Sequence, residues 1–157
     1  MAKLSKEMME LLKDPDTIKT LTTTDEQGLP HTVFKSSLTA LDENTIAYME
    51  LLETCNSQRN ILRNHWAGKL VSIALYNSKN NLSYQIKGKA VRFVNYGPIF
   101  SKFIDKVWSV LPQADPAGVW MIEPAEIINE DYQIRRKEEE ERVLNQQIWR
   151  RFLGKRP

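Results

Sequence analysis

The chain has 157 residues, 41% of them hydrophobic and 27% charged, and carries a formal net charge of +2. Its length predicts one domain with a sizeable core, and its composition is that of a soluble globular protein. A single cysteine, Cys55, excludes an internal disulfide framework. No apolar run approaches the roughly 20 residues needed to span a bilayer. The opening "MAKLSKEMMELLKDPD" has no uninterrupted apolar stretch, so it does not read as a signal peptide. Together with the lone cysteine this predicts a cytoplasmic protein. The charge is uneven: residues 135–157 hold eight basic and four acidic side chains, while the rest of the chain is slightly acidic. Diluted by "EEEE", that basic tail is a poor footprint for nucleic acid.

In chain order, Leu4 to Lys13 predicts a short amphipathic helix, with Leu4, Met8, Leu11 and Leu12 at helical spacing and Ser5 near its start. Asp14-Pro15 ends it. "TIKTLTTTD" is a first strand and "EQGLP" a turn. "HTVFKSSLTAL" predicts one second strand, "DEN" a tight turn, and "TIAYMELLE" a third strand. A helix starting near Ser57 follows, with Thr54 or Asn56 as its cap. "KLVSIALYN" is a fourth strand, "SKNN" a turn, and "LSYQIKGKAVRFVN" a long fifth strand whose Gly88 marks a bulge or bend. "GPIFSKFIDKVWSVLP" predicts a helix with an apolar stripe of Ile99, Phe103, Ile104, Val107, Trp108 and Leu111, ended by Pro112. "GVWMIEPAEIINE" is a sixth strand. From Arg135 the tail is helical, with Leu144, Ile148 and Phe152 at i, i+4, i+8 beside Trp149 and Leu153, and with Glu138 and Arg142 spaced to pair. That stripe predicts packing on the body or on a partner subunit. Trp108, Trp120 and Trp149 read as core or interface residues. The expected architecture is a six-stranded antiparallel barrel with flanking helices: an N-terminal helix in 1–15, a body in 16–128 and a helical tail in 135–157.

The motifs exclude several chemistries. Neither G-x-G-x-x-G nor G-x-x-x-x-G-K-[ST] occurs, and there is no C-x-x-C. His31 and His65 lie 34 residues apart with no cysteine cluster, so no metal site is expected. No nucleophile elbow supports a Ser-His-Asp triad. The informative stretch is "TCNSQRNILRN", Thr54 to Asn64. It is either a capped surface helix or a helix start whose N–H groups, Ser57 and Arg59 receive an anion.

Three segments point the same way. "LTTTDEQGLPHTVFKSSL", "NTIAYMELLETCNSQRNILRN" and "SYQIKGKAVRFVNYGPIF", in this order over residues 16–128, resemble the pyridoxamine 5'-phosphate oxidase-related flavin-binding proteins, the FMN-binding split barrels. The resemblance implies a split β-barrel that binds FMN at a homodimer interface. It places Ser57, Arg59 and Asn60 on the phosphate-binding turn and helix. Phe34, Lys35, Ser36 and Ser37 fall beside the isoalloxazine ring, Tyr48 and Met49 beside the ribityl chain, and Gln85 (or Ser83, two residues earlier) on the long strand facing the cofactor. No residue stands out as a catalytic acid or base, so the expected function is flavin-dependent redox chemistry or electron carriage on an unknown small molecule.

The chain departs from that pattern in two places. Its tail lacks the Arg-Leu-His-x-Arg type motif through which the oxidases contact substrate. Gln58 stands where those enzymes usually place a basic residue, so one phosphate contact is missing. Some split-barrel relatives use a deazaflavin or haem instead of FMN. The alternative from another class is a cofactor-free barrel that acts as a binding module through its basic C-terminal helix.

Overall fold

The computed structural model describes residues 2–152, and within its last helix the side chains of 143–151 lie outside that description. The elements are α1 (Lys6–Lys13), β1 (Ile18–Thr24), β2 (Pro30–Phe34), β3 (Thr39–Asp42), β4 (Thr45–Glu50), α2 (Asn56–His65), β5 (Val71–Asn77), β6 (Leu82–Val94), α3 (Pro98–Val110), β7 (Gly118–Asn129) and α4 (Tyr132–Phe152). All seven strands join one antiparallel sheet in the order β2-β1-β5-β6-β7-β4-β3.

That order forces the sheet to curl. β2 and β3 are its two edges, six strand spacings apart, which in a flat sheet is about 29 Å. Only residues 35–38 join them, and a link that short reaches at most about 18 Å. The edges must therefore approach each other, and the sheet becomes a barrel with an open seam between β2 and β3.

This corrects the expected strand count from six to seven. "HTVFKSSLTAL" is two strands, because the chain leaves one edge and crosses to the other inside it. A turn closed by the Leu38 N–H on the Lys35 carbonyl, at 3.1 Å, makes the crossing. Ser37 fastens the crossing to β4: its Oγ accepts from the Met49 N–H at 3.1 Å and donates to the Met49 carbonyl at 3.3 Å.

The helices cap this barrel. Ser5 caps α1, its Oγ accepting from the Met8 N–H. Met8, Leu11 and Leu12 of α1 are buried against the main core with Leu21, Leu38, Ile46, Ile73, Ile86 and Ile122. Each such side chain contributes about 1.5–3 kcal/mol by leaving water. Gly88 lies at a register shift between β6 and β7, as its bulge predicts. A Cβ there would stand 2.5 Å from Ile122 Cγ2 and 3.0 Å from the Glu123 carbonyl. Pro98 opens α3 at a position that needs no N–H donor. Phe103 then packs with Ala47, Met49 and Val119 in a second, smaller core. Trp120 is core, stacked at a tilt on Phe93. Trp108 is half exposed, its indole N–H donating to the Ala114 carbonyl at 3.0 Å. Among the described residues of α4 the ion pairs are Arg135–Glu138 and Arg136–Glu140, not the expected Glu138–Arg142. The predicted stripe of Leu144, Ile148, Trp149 and Leu153 lies outside the described residues, and Phe152 is exposed.

Candidate functional site

The crossing between β2 and β3, the end of β4, the start of α2 and one side of α3 enclose a cleft of about 580 Å³. Small-molecule sites fall between about 300 and 1,000 Å³. Phe34, Lys35, Ser36, Ser37, Met49 and Ser57 all line it, so the structure brings together six of the ten residues that the resemblance singled out. Its walls are apolar where Val33, Leu51, Leu52, Val107, Val110 and Leu111 meet it. Several apolar residues of the lining face solvent: Phe34 is 79% exposed and Val110 77%.

A buried acid organises the cleft's polar floor. Glu50, the last residue of β4, is 2% exposed. Its carboxylate accepts from Lys35 Nζ at 2.5 Å, Ser57 Oγ at 2.9 Å and the Tyr48 hydroxyl at 3.4 Å. The Lys35 ammonium also stands 5.1 Å from the centroid of the Tyr48 ring. Burial pushes the Tyr48 phenol well above its usual pKa, and the Glu50 charge beside it adds to the effect. These groups tie three segments to one point: the crossing, β4 and α2.

Helix α2 divides the stretch "TCNSQRNILRN" between two faces. Its cap is Cys55, not Thr54 or Asn56: the Cys55 Sγ accepts from the Gln58 N–H at 3.4 Å and touches Ser57 Oγ at 3.2 Å. Ser57, Gln58, Asn60 and Ile61 are buried, at the i, i+3, i+4 spacing of one helix face. Gln58 Oε1 accepts from the Trp120 indole N–H at 2.5 Å, and the Asn60 amide donates to the Thr23 hydroxyl at 3.0 Å. Arg59 points outward. It donates to the Thr54 carbonyl at 3.3 Å and lines a separate groove of about 450 Å³ with Asp25, Glu26, Asn56 and Arg63. Arg63 pairs with Glu26 at 2.5 Å across that groove. His31 lines both the cleft and the groove, so the two depressions share a wall.

The remaining expected residues lie apart from the cleft lining. Tyr48 is fully buried beneath it and reaches it through Glu50 and Lys35. Gln85 lies on β6 and donates to Ser72 Oγ at 3.0 Å, with Ser83 two positions along the same strand. Sequence reasoning missed Glu50, Lys19 and Lys106, which also line the cleft, and the Gln58–Trp120 contact. For Glu50 a signal existed: a charged residue closing the apolar run "IAYM", where only a paired acid is tolerated inside.

No protein-family profile matches the chain, and no curated protein matches it. Solved structures do share its fold. HupZ from Group A Streptococcus is 22% identical, with a TM-score of 0.68 over 82% of this chain and 95% of that one. A Lactobacillus delbrueckii protein named as a candidate pyridoxamine 5'-phosphate oxidase is also 22% identical, with a TM-score of 0.61 over 82% and 99%. An FMN-binding protein from Syntrophomonas wolfei is 12% identical, with a TM-score of 0.62 over 77% and 86%. The chain thus has the split-barrel fold of the pyridoxamine 5'-phosphate oxidase-like proteins, mainly β, with seven antiparallel strands and four helices among the described residues. No described helix is long and apolar enough to cross a membrane.

Proposed function

We propose that this chain is an FMN-binding protein of the pyridoxamine 5'-phosphate oxidase-related family, with the flavin held in the cleft at the interface of a homodimer. The observation that carries the proposal is the gathering of Phe34, Lys35, Ser36, Ser37, Met49 and Ser57 around one ligand-sized cleft, in a fold shared with an FMN-binding protein. The residues fit the ring: the walls are apolar, and Ser36, Ser37 and Lys35 bring a few polar groups to an edge. A second copy is the natural cover for the exposed rim of Phe34, Leu52 and Val110.

The phosphate falls to the first turn of α2, where the helix dipole favours an anion, and Arg59 supplies charge from the adjoining groove that shares the His31 wall with the cleft. Ser57 contributes less there, because its hydroxyl proton already goes to Glu50. Gln58 contributes nothing, because it is turned inward onto Trp120. Bound FMN supplies hydride or single-electron transfer, and the protein binds it, excludes water from one ring face and tunes its electronics. The product is a flavin-dependent oxidoreductase or electron carrier.

The test is the visible absorption spectrum of the protein as purified, followed by reconstitution with FMN. A flavin spectrum, or stoichiometric uptake of added FMN, supports the proposal. A colourless protein that takes up no FMN overturns it and favours a binding module, for which haem and a deazaflavin are the next ligands to add.

A further inference from the structure

The cleft holds more positive charge than the network around Glu50 explains. Lys13, Lys19, Lys35 and Lys106 line it, against the single carboxylate of Glu50. Lys35 uses that carboxylate. Lys19 is the unusual member. It is only 6% exposed and, among the described residues, forms no ion pair. Its ammonium donates to the Leu12 carbonyl at 2.5 Å and to the Leu38 carbonyl at 3.2 Å. An ammonium has three N–H donors, so one is left without a protein partner among the described residues.

Its neighbours raise the cost of that charge. Lys35 is the next position opposite Lys19 in the β1–β2 register, with its backbone N–H on the Lys19 carbonyl at 3.0 Å. Two like charges directly across a strand pair repel. Burial pulls the Lys19 pKa below the usual lysine value. Asp14 opposes that shift, and the nearby Lys106 on α3 reinforces it. Asp14 acts on Lys19 by charge more than Lys106 does, but not by a hydrogen bond: one of its oxygens accepts from the Asp16 N–H and the other from the Asn77 amide. A buried cation with a spare donor, a lysine across the strand and another across the cleft is an arrangement that an anion completes.

We propose that Lys19 and Lys106 form an oxyanion subsite within the cleft, which takes a phosphate or carboxylate group of the cleft's ligand. The subsite is distinct from the α2 start. It rests on the flavin reading only for the identity of the larger ligand. Two sources share its chemistry: the anionic group of a second small molecule bound beside the flavin, and the flavin's own phosphate, which would then lie here in place of the α2 start.

The experiment titrates inorganic phosphate into the full chain and follows backbone amide NMR shifts at Lys19, Leu38 and Lys106. The same is done for Lys106→Gln, a change on an exposed helix face that leaves the core intact, and for Lys19→Gln, with folding checked by circular dichroism. FMN and riboflavin are titrated in parallel. The expected result is a saturable shift at all three amides that needs about ten- to hundredfold more phosphate in Lys106→Gln. FMN weakened by the same factor with riboflavin unchanged assigns the subsite to the flavin phosphate. FMN unchanged while phosphate binding weakens assigns it to a second molecule. Phosphate shifts that are absent in the wild type, or insensitive to Lys106→Gln, overturn the subsite. A protein that takes phosphate at Lys19 but neither flavin keeps the subsite and loses the flavin reading.

Discussion

On its inner face α2 presents Ser57, Gln58, Asn60 and Ile61, none more than 5% exposed. On its outer face, one residue away, Arg59 and Arg63 stand in an open groove. Both faces are polar, and by composition they look alike. The inner hydroxyl and amides are held by specific partners: Glu50 and the Cys55 sulfur for Ser57, Trp120 for Gln58 and Thr23 for Asn60. The outer guanidiniums have a backbone carbonyl and one exposed carboxylate. Buried polar groups that are all satisfied fix a structure, whereas exposed charges leave it nearly unchanged and stay available for a ligand. The inner face of α2 therefore holds the barrel's seam, and the outer face is where the proposed phosphate contact falls.

The largest expected effect tests the inner side. Glu50→Ala leaves Lys35, with 14% of its side chain exposed, without its carboxylate, and should cost about 3–5 kcal/mol in a denaturant melt. The double change Lys35→Met with Glu50→Leu should recover most of that loss, because it removes the stranded charge. A double variant as unstable as the single one would mean that the pair matters for some other reason. Next in size, Asn60→Ala strips the Thr23 hydroxyl of its partner inside the protein and should cost about 1–3 kcal/mol in the same melt.

Arg59→Ala sharpens the contrast. Its stability should stay within about 0.5 kcal/mol of wild type, while FMN, titrated by fluorescence quenching, should bind about tenfold more weakly for the loss of one charge-assisted contact. A large loss of stability in this variant would move Arg59 to the structural face. The smallest effect is a control on β6, at a residue that does not line the cleft. Burial, followed by the Glu7 hydrogen bond and charge, raises the Tyr84 phenol to about 12. A phenol whose folded pKa exceeds its unfolded value of about 10 adds stability below pH 10 and loses it as the pH climbs through 12. Ultraviolet titration of wild type against Tyr84→Phe should show one late-ionising tyrosine missing in the variant.

Much of this was legible in the sequence, element by element. The strands of "TIKTLTTT" and "VSIALYN" follow from alternation, α1 from its stripe and Ser5, and the β6 irregularity from Gly88. The break in "HTVFKSSLTAL" was harder, because no glycine or proline marks it. Its trace is a change of phase: the inward positions are His31 and Val33 before the crossing and Leu38 and Ala40 after it. Two edges meeting across a whole sheet impose that break, and no local propensity records such a contact. Within α2, helical spacing alone separates Ser57, Asn60 and Ile61 from Arg59 and Arg63, so the two faces were readable in principle. The inward turn of Gln58 was not, since it depends on Trp120, which lies 62 positions away. Lys19 was equally hidden. A lysine among threonines reads as a solvated strand residue until α1 and the crossing close over it.

The most direct test of the central claim, that the cleft is a flavin site, is an equilibrium titration of FMN into wild-type protein, read by quenching of flavin fluorescence. Saturation at one FMN per chain is expected, with Arg59→Ala weakened and still folded. Fluorescence that falls without saturating, or not at all, while the protein remains folded would contradict it.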